Sequence, residues 1–149
     1  MKPYVIMLGS LCPFFFKTMH KLHIANTFFE WELESSPNVS LCEAFSQHPI
    51  FLQLQFLPVL YANSNDALLF TNRPISSYWE LLSSSGIPTF RYFTLEDREF
   101  LPDLEIESWG PSRLIAEWAK TKGLHYFIPD WNVVKEVNSK RRASSRLPG

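Results

Sequence analysis

Asp97, Glu99, Glu105 and Glu107 are spaced closely enough to offer paired carboxylates for acid–base chemistry. Such work needs two carboxyls in unlike environments around one substrate. Glu105 and Glu107 flank Ile106, however, and that alternation is the pattern of a solvated strand face. His20 and His23 stand three apart, a metal-like spacing if the segment is helical. No third ligand stands nearby, so a metal is not expected there. No G-x-S-x-G elbow supports a serine triad, and neither G-x-G-x-x-G nor G-x-x-x-x-G-K-[ST] supplies a standard phosphate loop. Arg141-Arg142-Ala143-Ser144 matches the recognition pattern of basophilic kinases, with Ser144 as acceptor, but four-residue matches are common by chance. Trp109-Gly110-Pro111-Ser112 is more informative. Glycine permits close backbone approach, proline suits the first turn of a helix, and tryptophan packs over the joint. Such a turn is either a tight strand-to-helix junction or a helix start facing a ligand at the carboxyl edge of a parallel sheet.

The elements around these residues alternate. Ala67–Thr71 reads as a buried strand, followed by Asn72 as a cap and Pro74 at the first helical position. Ile75, Tyr78, Trp79 and Leu82 then recur at helical spacing, and Gly86 ends the helix as a left-handed cap. Ile87–Phe93 is a second strand. This is a strand–helix–strand unit, whose right-handed crossover makes its two strands parallel. Pro111 begins another helix with Leu114, Ile115 and Trp118 on its apolar side, Lys120 and Lys122 in its last turn and Gly123 as cap. Leu124–Ile128 is a strand candidate, and Asp130 can cap a turn carrying Val133, Val134 and Val137. Tyr4–Leu8 fits a buried first strand. Residues 14–33 and Pro49–Tyr61 suit either helix or strand, with a helix starting near Leu41 one option. Residues 35–40 and 62–66 are loops. The whole predicts an α/β, Rossmann-like parallel sheet with helices on both faces.

A chain of 149 residues is one domain by length, and domains of this size bury roughly two-thirds of their unfolded surface. The net charge of -1 argues against a nucleic-acid module, which is usually basic. The C-terminus is nonetheless locally basic, with Lys135, Lys140, Arg141, Arg142 and Arg146 opposed by Glu136. Cys12 and Cys42 have no metal-ligand spacing, and reduced thiols in the cytoplasm are the simplest reading. The apolar run over residues 4–16 is too short to span a membrane and is interrupted by Pro13.

The stretch Glu107–Lys140 resembles the end of the domain that precedes the catalytic region in ATP-grasp ligases. In that family a Trp-Gly turn opens a helix, as at Trp109-Gly110, and an Asn/Asp-x-Lys element leads into the ATP-binding region, as at Asn138-Ser139-Lys140. Phe29-Glu30-Trp31-Glu32-Leu33, Leu57-Pro58 and Thr71-Asn72-Arg73-Pro74 resemble earlier parts of the same domain, so the likeness covers most of residues 4–140. The resemblance implies a pre-ATP-grasp domain over residues 1–140, followed by a basic flexible tail, or the start of a missing catalytic region, over 141–149. It implies a ligase that joins a carboxylate to an amine or thiol through an acyl phosphate. Lys140 would then contact nucleotide phosphate, with ATP and Mg2+ bound in the complete enzyme and neither expected on the isolated chain. The family's phosphate-covering loop and acidic magnesium ligands do not occur here, and nine residues follow Lys140. The expected partners are a separately encoded or missing catalytic region and a small carboxylate substrate, without nucleic acid or membrane. The alternative is a non-catalytic α/β interaction module, for which the 15% aromatic content would supply contact surface.

Overall fold

A computed structural model describes the backbone of residues 20–146 and the side chains of residues 20–139. Four short strands form one sheet: β1 (Lys21–Ile24), β2 (Ala67–Phe70), β3 (Arg91–Thr94) and β4 (Glu105–Ser108), in the order β3-β2-β1-β4. Every pairing is parallel, with Leu22 opposite Ala67 and Ile106, and Leu68 opposite Tyr92. Six α-helices are described: α1 (Phe29–Ser35), α2 (Leu41–Phe45), α3 (Pro49–Leu54), α4 (Ser76–Ser84), α5 (Arg113–Thr121) and α6 (Trp131–Arg146), with a 3-10 turn at Leu57–Leu60. The chain is an α/β, Rossmann-like fold. The expected strand at Tyr4–Leu8 lies outside the described residues.

Strand periodicity divides the core into two layers. Leu22, Ile24, Ala67, Leu69 and Ile106 face one side and pack with Phe28, Leu41, Ala44, Phe45, Leu114, Ile115 and Ala119 from the loop before α1, α2 and α5. Leu68 and Phe70 face the other side, against Val59, Phe90, Trp79 and Leu82. β2 is buried at every position because helices cover it on both faces. Over β1 and β4 the second face is polar. Glu105 and Glu107 are exposed there, Lys21 Nζ reaches Glu107 Oε2 at 3.0 Å, and the solvated-face expectation holds.

The parallel strand–helix–strand unit is present, with shifted boundaries. α4 starts at Ser76 with Ile75 as its extended N-cap, so Pro74 precedes the helix and Asn72 does not cap it. Ile75 is 72% exposed, and the packed face begins at Tyr78. Gly86 adopts φ 80°. The closing bond then runs from Ile87 N–H to Leu82 O at 2.9 Å, which takes Ile87 out of the strand. Pro88 follows without an N–H, and pairing starts only at Arg91. α5 repeats the ending: Gly123 has φ 69° and Leu124 N–H donates to Ala119 O at 2.9 Å.

Leu124–Ile128 is not a strand. Tyr126 instead turns its hydroxyl inward to hydrogen-bonding partners near the end of β4, while Phe127 is 91% exposed. The ambiguous Pro49–Tyr61 stretch is helical throughout its ordered turns, and the helix at Leu41 begins with a capping box between Ser40 and Glu43. The backbone of α6 runs to Arg146. Asp130 Oδ1 accepts from Asn132 N–H at 3.0 Å and caps this helix as expected.

Candidate site at the carboxyl edge of the sheet

The strand order places β1 between β2 and β4, so the chain leaves β1 toward one side and later returns to the other. In open α/β sheets, ligands gather at such a switch point, outside the carboxyl ends of the strands. Here Ile24 and Ser108 form the last register pair, and the turns that follow them lie side by side. The first is Ala25-Asn26-Thr27-Phe28 and the second is Trp109-Gly110-Pro111-Ser112.

These turns are joined by a buried amide clasp. Asn26 is fully buried; its Nδ2 donates to Gly110 O at 2.9 Å, and Gly110 N–H donates to Asn26 Oδ1 at 3.1 Å. A Cβ on Gly110 would sit 2.5 Å from the Phe29 ring, so glycine is required for close approach. Trp109 is 58% exposed and lies at the rim; the expectation that it packs over the joint is corrected.

The start of α5 is also filled. Ser112 caps it, its Oγ accepting from Ile115 N–H at 3.1 Å and donating to Glu32 Oε2 at 2.7 Å. Glu32 Oε1 accepts from Leu114 N–H at 3.0 Å. Glu32 therefore places a carboxylate where a phosphate would bind at a helix N-terminus. Burial pushes its acidity upward in pKa, and the bonds from Ser112 and Leu114 oppose that rise without cancelling it. Tyr126 completes the enclosure: its hydroxyl shares a 2.7 Å hydrogen bond with Ser108 Oγ and accepts from Ser112 N–H at 3.1 Å. Burial pushes this phenol up as well.

Beside the closed switch point, the same edge opens. A polar cavity of about 430 Å³ lies between the residues after β2 (Thr71, Asn72, Arg73) and those at and after the end of β3 (Tyr92, Thr94, Glu96, Asp97). Thr71 N–H donates to the buried Gln55 Oε1 at 2.8 Å, and Thr94 N–H to Asp97 Oδ2 at 2.7 Å, which fixes both rims.

The other candidates separate. His23 lies on β1, where a spacing of three points His20 and His23 to opposite faces. His23 Nε2 instead meets Asp66 Oδ2 at 2.8 Å, both side chains being buried. Burial would push Asp66 up, but hydrogen bonds from His23, Lys21 and Asn63 outweigh it and hold the carboxyl below its ordinary value. Among the described residues no group of three metal-ligating side chains forms. The backbone of Lys140 lies within α6.

Sequence reasoning assigned no role to Asn26, Glu32 or Tyr126. Glu32 carried a signal, an acid within the aromatic run Phe28–Leu33. Compared with models of protein families, with curated proteins and with solved structures, the chain finds no match.

Proposed function

We propose that this chain is the substrate-side α/β domain of an ATP-grasp-type ligase, acting with a catalytic region that holds ATP and Mg2+. One observation carries the reading: the carboxyl edge of the sheet is closed at its switch point and open beside it. Asn26, Phe29, Glu32 and Tyr126 fill the crevice and the helix start that a dinucleotide would use. The adjoining polar cavity is of small-molecule size. A domain so built suits a substrate better than a nucleotide, which matches the division of labour that the Trp109-Gly110 and Asn138-Ser139-Lys140 resemblances imply.

In this reading the catalytic region activates a carboxylate as an acyl phosphate, and an amine or thiol then displaces the phosphate. Lys140 contributes a point charge to nucleotide phosphate in the complete enzyme. The domain works in the cytoplasm. Cys42, a free and exposed thiol, suits a reducing compartment, and no helix among the described residues is long and apolar enough to cross a membrane.

The test is to purify the chain together with the ATP-grasp region expected in the downstream reading frame. Magnesium-dependent ADP release, stimulated by a carboxylate and an amine and lowered by Lys140→Ala, is the expected result. The chain alone should release none, and millimolar ATP with Mg2+ should leave its melting temperature unchanged, because stabilisation requires a site that binds. Turnover by the chain alone, abolished by a substitution within it, would overturn the proposal. Trp109 and Phe127, 58% and 91% exposed, favour a second reading as an interaction module. Stable capture of a protein without ATP-grasp character would support that one.

A further inference from the structure

The cavity between β2 and β3 is lined by three charged side chains, Arg73, Glu96 and Asp97. Arg73 and Glu96 are both exposed on its rim. Among the described residues neither makes an ion pair or a hydrogen bond, with each other or with anything else. Opposite charges facing one cavity without pairing leave room for a ligand that bridges them. The remaining lining fits that geometry. Asn72 stands next to Arg73 and offers an amide, and Thr71 and Thr94 also line the cavity. Asp97 adds a second acid, already fixed by Thr94 N–H and anchored through its carbonyl by Lys122 Nζ at 2.8 Å. Tyr92 forms an aromatic wall, held by a stacked contact with Trp79 at 5.8 Å. The lining is thus held by contacts within the protein, while Arg73 and Glu96 stand exposed at its rim.

We propose that this cavity binds a small zwitterion bearing a carboxylate and an ammonium group, a free amino acid or a compound with the same two ends. Arg73 takes the carboxylate in a forked contact, supported by Asn72. Glu96 takes the ammonium against the Tyr92 ring, whose face favours a cation. A volume of about 430 Å³ holds a molecule of this size with its ordered water. The proposal names the substrate class for the edge described above. It rests on the ligase reading only in calling the ligand a substrate; the binding follows from the cavity alone.

The experiment is an NMR titration of the 15N-labelled full chain with glycine, alanine, lysine and glutamate. Acetate and methylammonium serve as single-charge controls. The expected result is saturable movement of the Thr71–Arg73 and Thr94–Asp97 amide signals by at least one amino acid, with the single-charge probes at least about tenfold weaker. Arg73→Ala and Glu96→Gln should each weaken binding by about tenfold or more and leave the remaining spectrum in place, since neither side chain holds the fold together. Equal response to acetate and to the amino acids, or no response at these residues from any of the four, overturns the proposal. The two readings fail separately. If zwitterions bind but the assembled protein never releases ADP, the ligase assignment is wrong and the site stands. If the amino acid binds but the assembled protein turns over equally well with Arg73→Ala and Glu96→Gln, the cavity's ligand is not the ligase substrate and the ligase stands.

Discussion

Gly110 sits where two turns and an aromatic ring converge, and its missing side chain is what lets them meet. Gly110→Ala would bring a methyl to 2.5 Å from the Phe29 ring and force the clasp with Asn26 apart. The expected cost is about 1–3 kcal/mol in urea unfolding. A change near zero would show that Phe29 moves aside freely. Glu32 is the other decisive residue, because its carboxyl is buried at the start of α5. Its folded pKa lies above the ordinary 4.5, so the stability it contributes is greatest below that value and is lost as pH rises through the folded pKa. Glu32→Gln keeps the shape and removes the titration. Its stability relative to the natural chain should therefore rise with pH over that window and then level off, as melting curves across the acidic range would show. A constant difference would mean that Glu32 titrates normally.

The elements differ in how firmly they are held. α5 buries Leu114, Ile115 and Ala119 and is capped at both ends, whereas α6 buries Val134 while Val133 and Val137 stay largely exposed. Limited trypsin digestion should therefore cut at Lys135, Lys140 or the arginines beyond before it cuts at Arg113 or Lys120. The reverse order would mean that α5, not α6, is the weakly packed helix. α4 is intermediate. It has no fully buried residue, yet Trp79 packs on Phe70 and Tyr92 at ring distances of 6.2 and 5.8 Å. Trp79→Ala should cost about 2 kcal/mol, less than the 3–5 kcal/mol of a fully enclosed ring. A measured loss above that upper range would show the ring to be deeper than its half-burial implies.

At the scale of the molecule, the sheet order decides what the edge can do. β1 is central and both its neighbours are parallel, so the turns after β1 and β4 must meet. In this chain they meet by hydrogen bonding to each other. Open space on that edge falls between β2 and β3, where Arg73 and Glu96 stand without partners among the described residues. That space thus lies beside the switch point, at a neighbouring pair of strands.

Much of the fold was legible in local pattern. The uninterrupted apolar run Ala67–Phe70 means burial on both faces, and Gly86 and Gly123 mark left-handed helix ends, because these signals act through a few neighbouring residues. Alternation around Ile106 likewise separates a buried side chain from two solvated ones. Boundaries were less legible, since the closing bonds to Ile87 and Leu124 use up residues that look like strand starts. The site was hardly legible at all. Asn26 and Gly110 are 84 positions apart, and Glu32 and Ser112 are 80. The spacing of His20 and His23 would pair them only on a helix, and His23 lies on a strand. Local sequence determines which residues want burial or a turn; only the parallel sheet, by bringing distant turns to one edge, decided which polar groups satisfy one another and which are left facing open space.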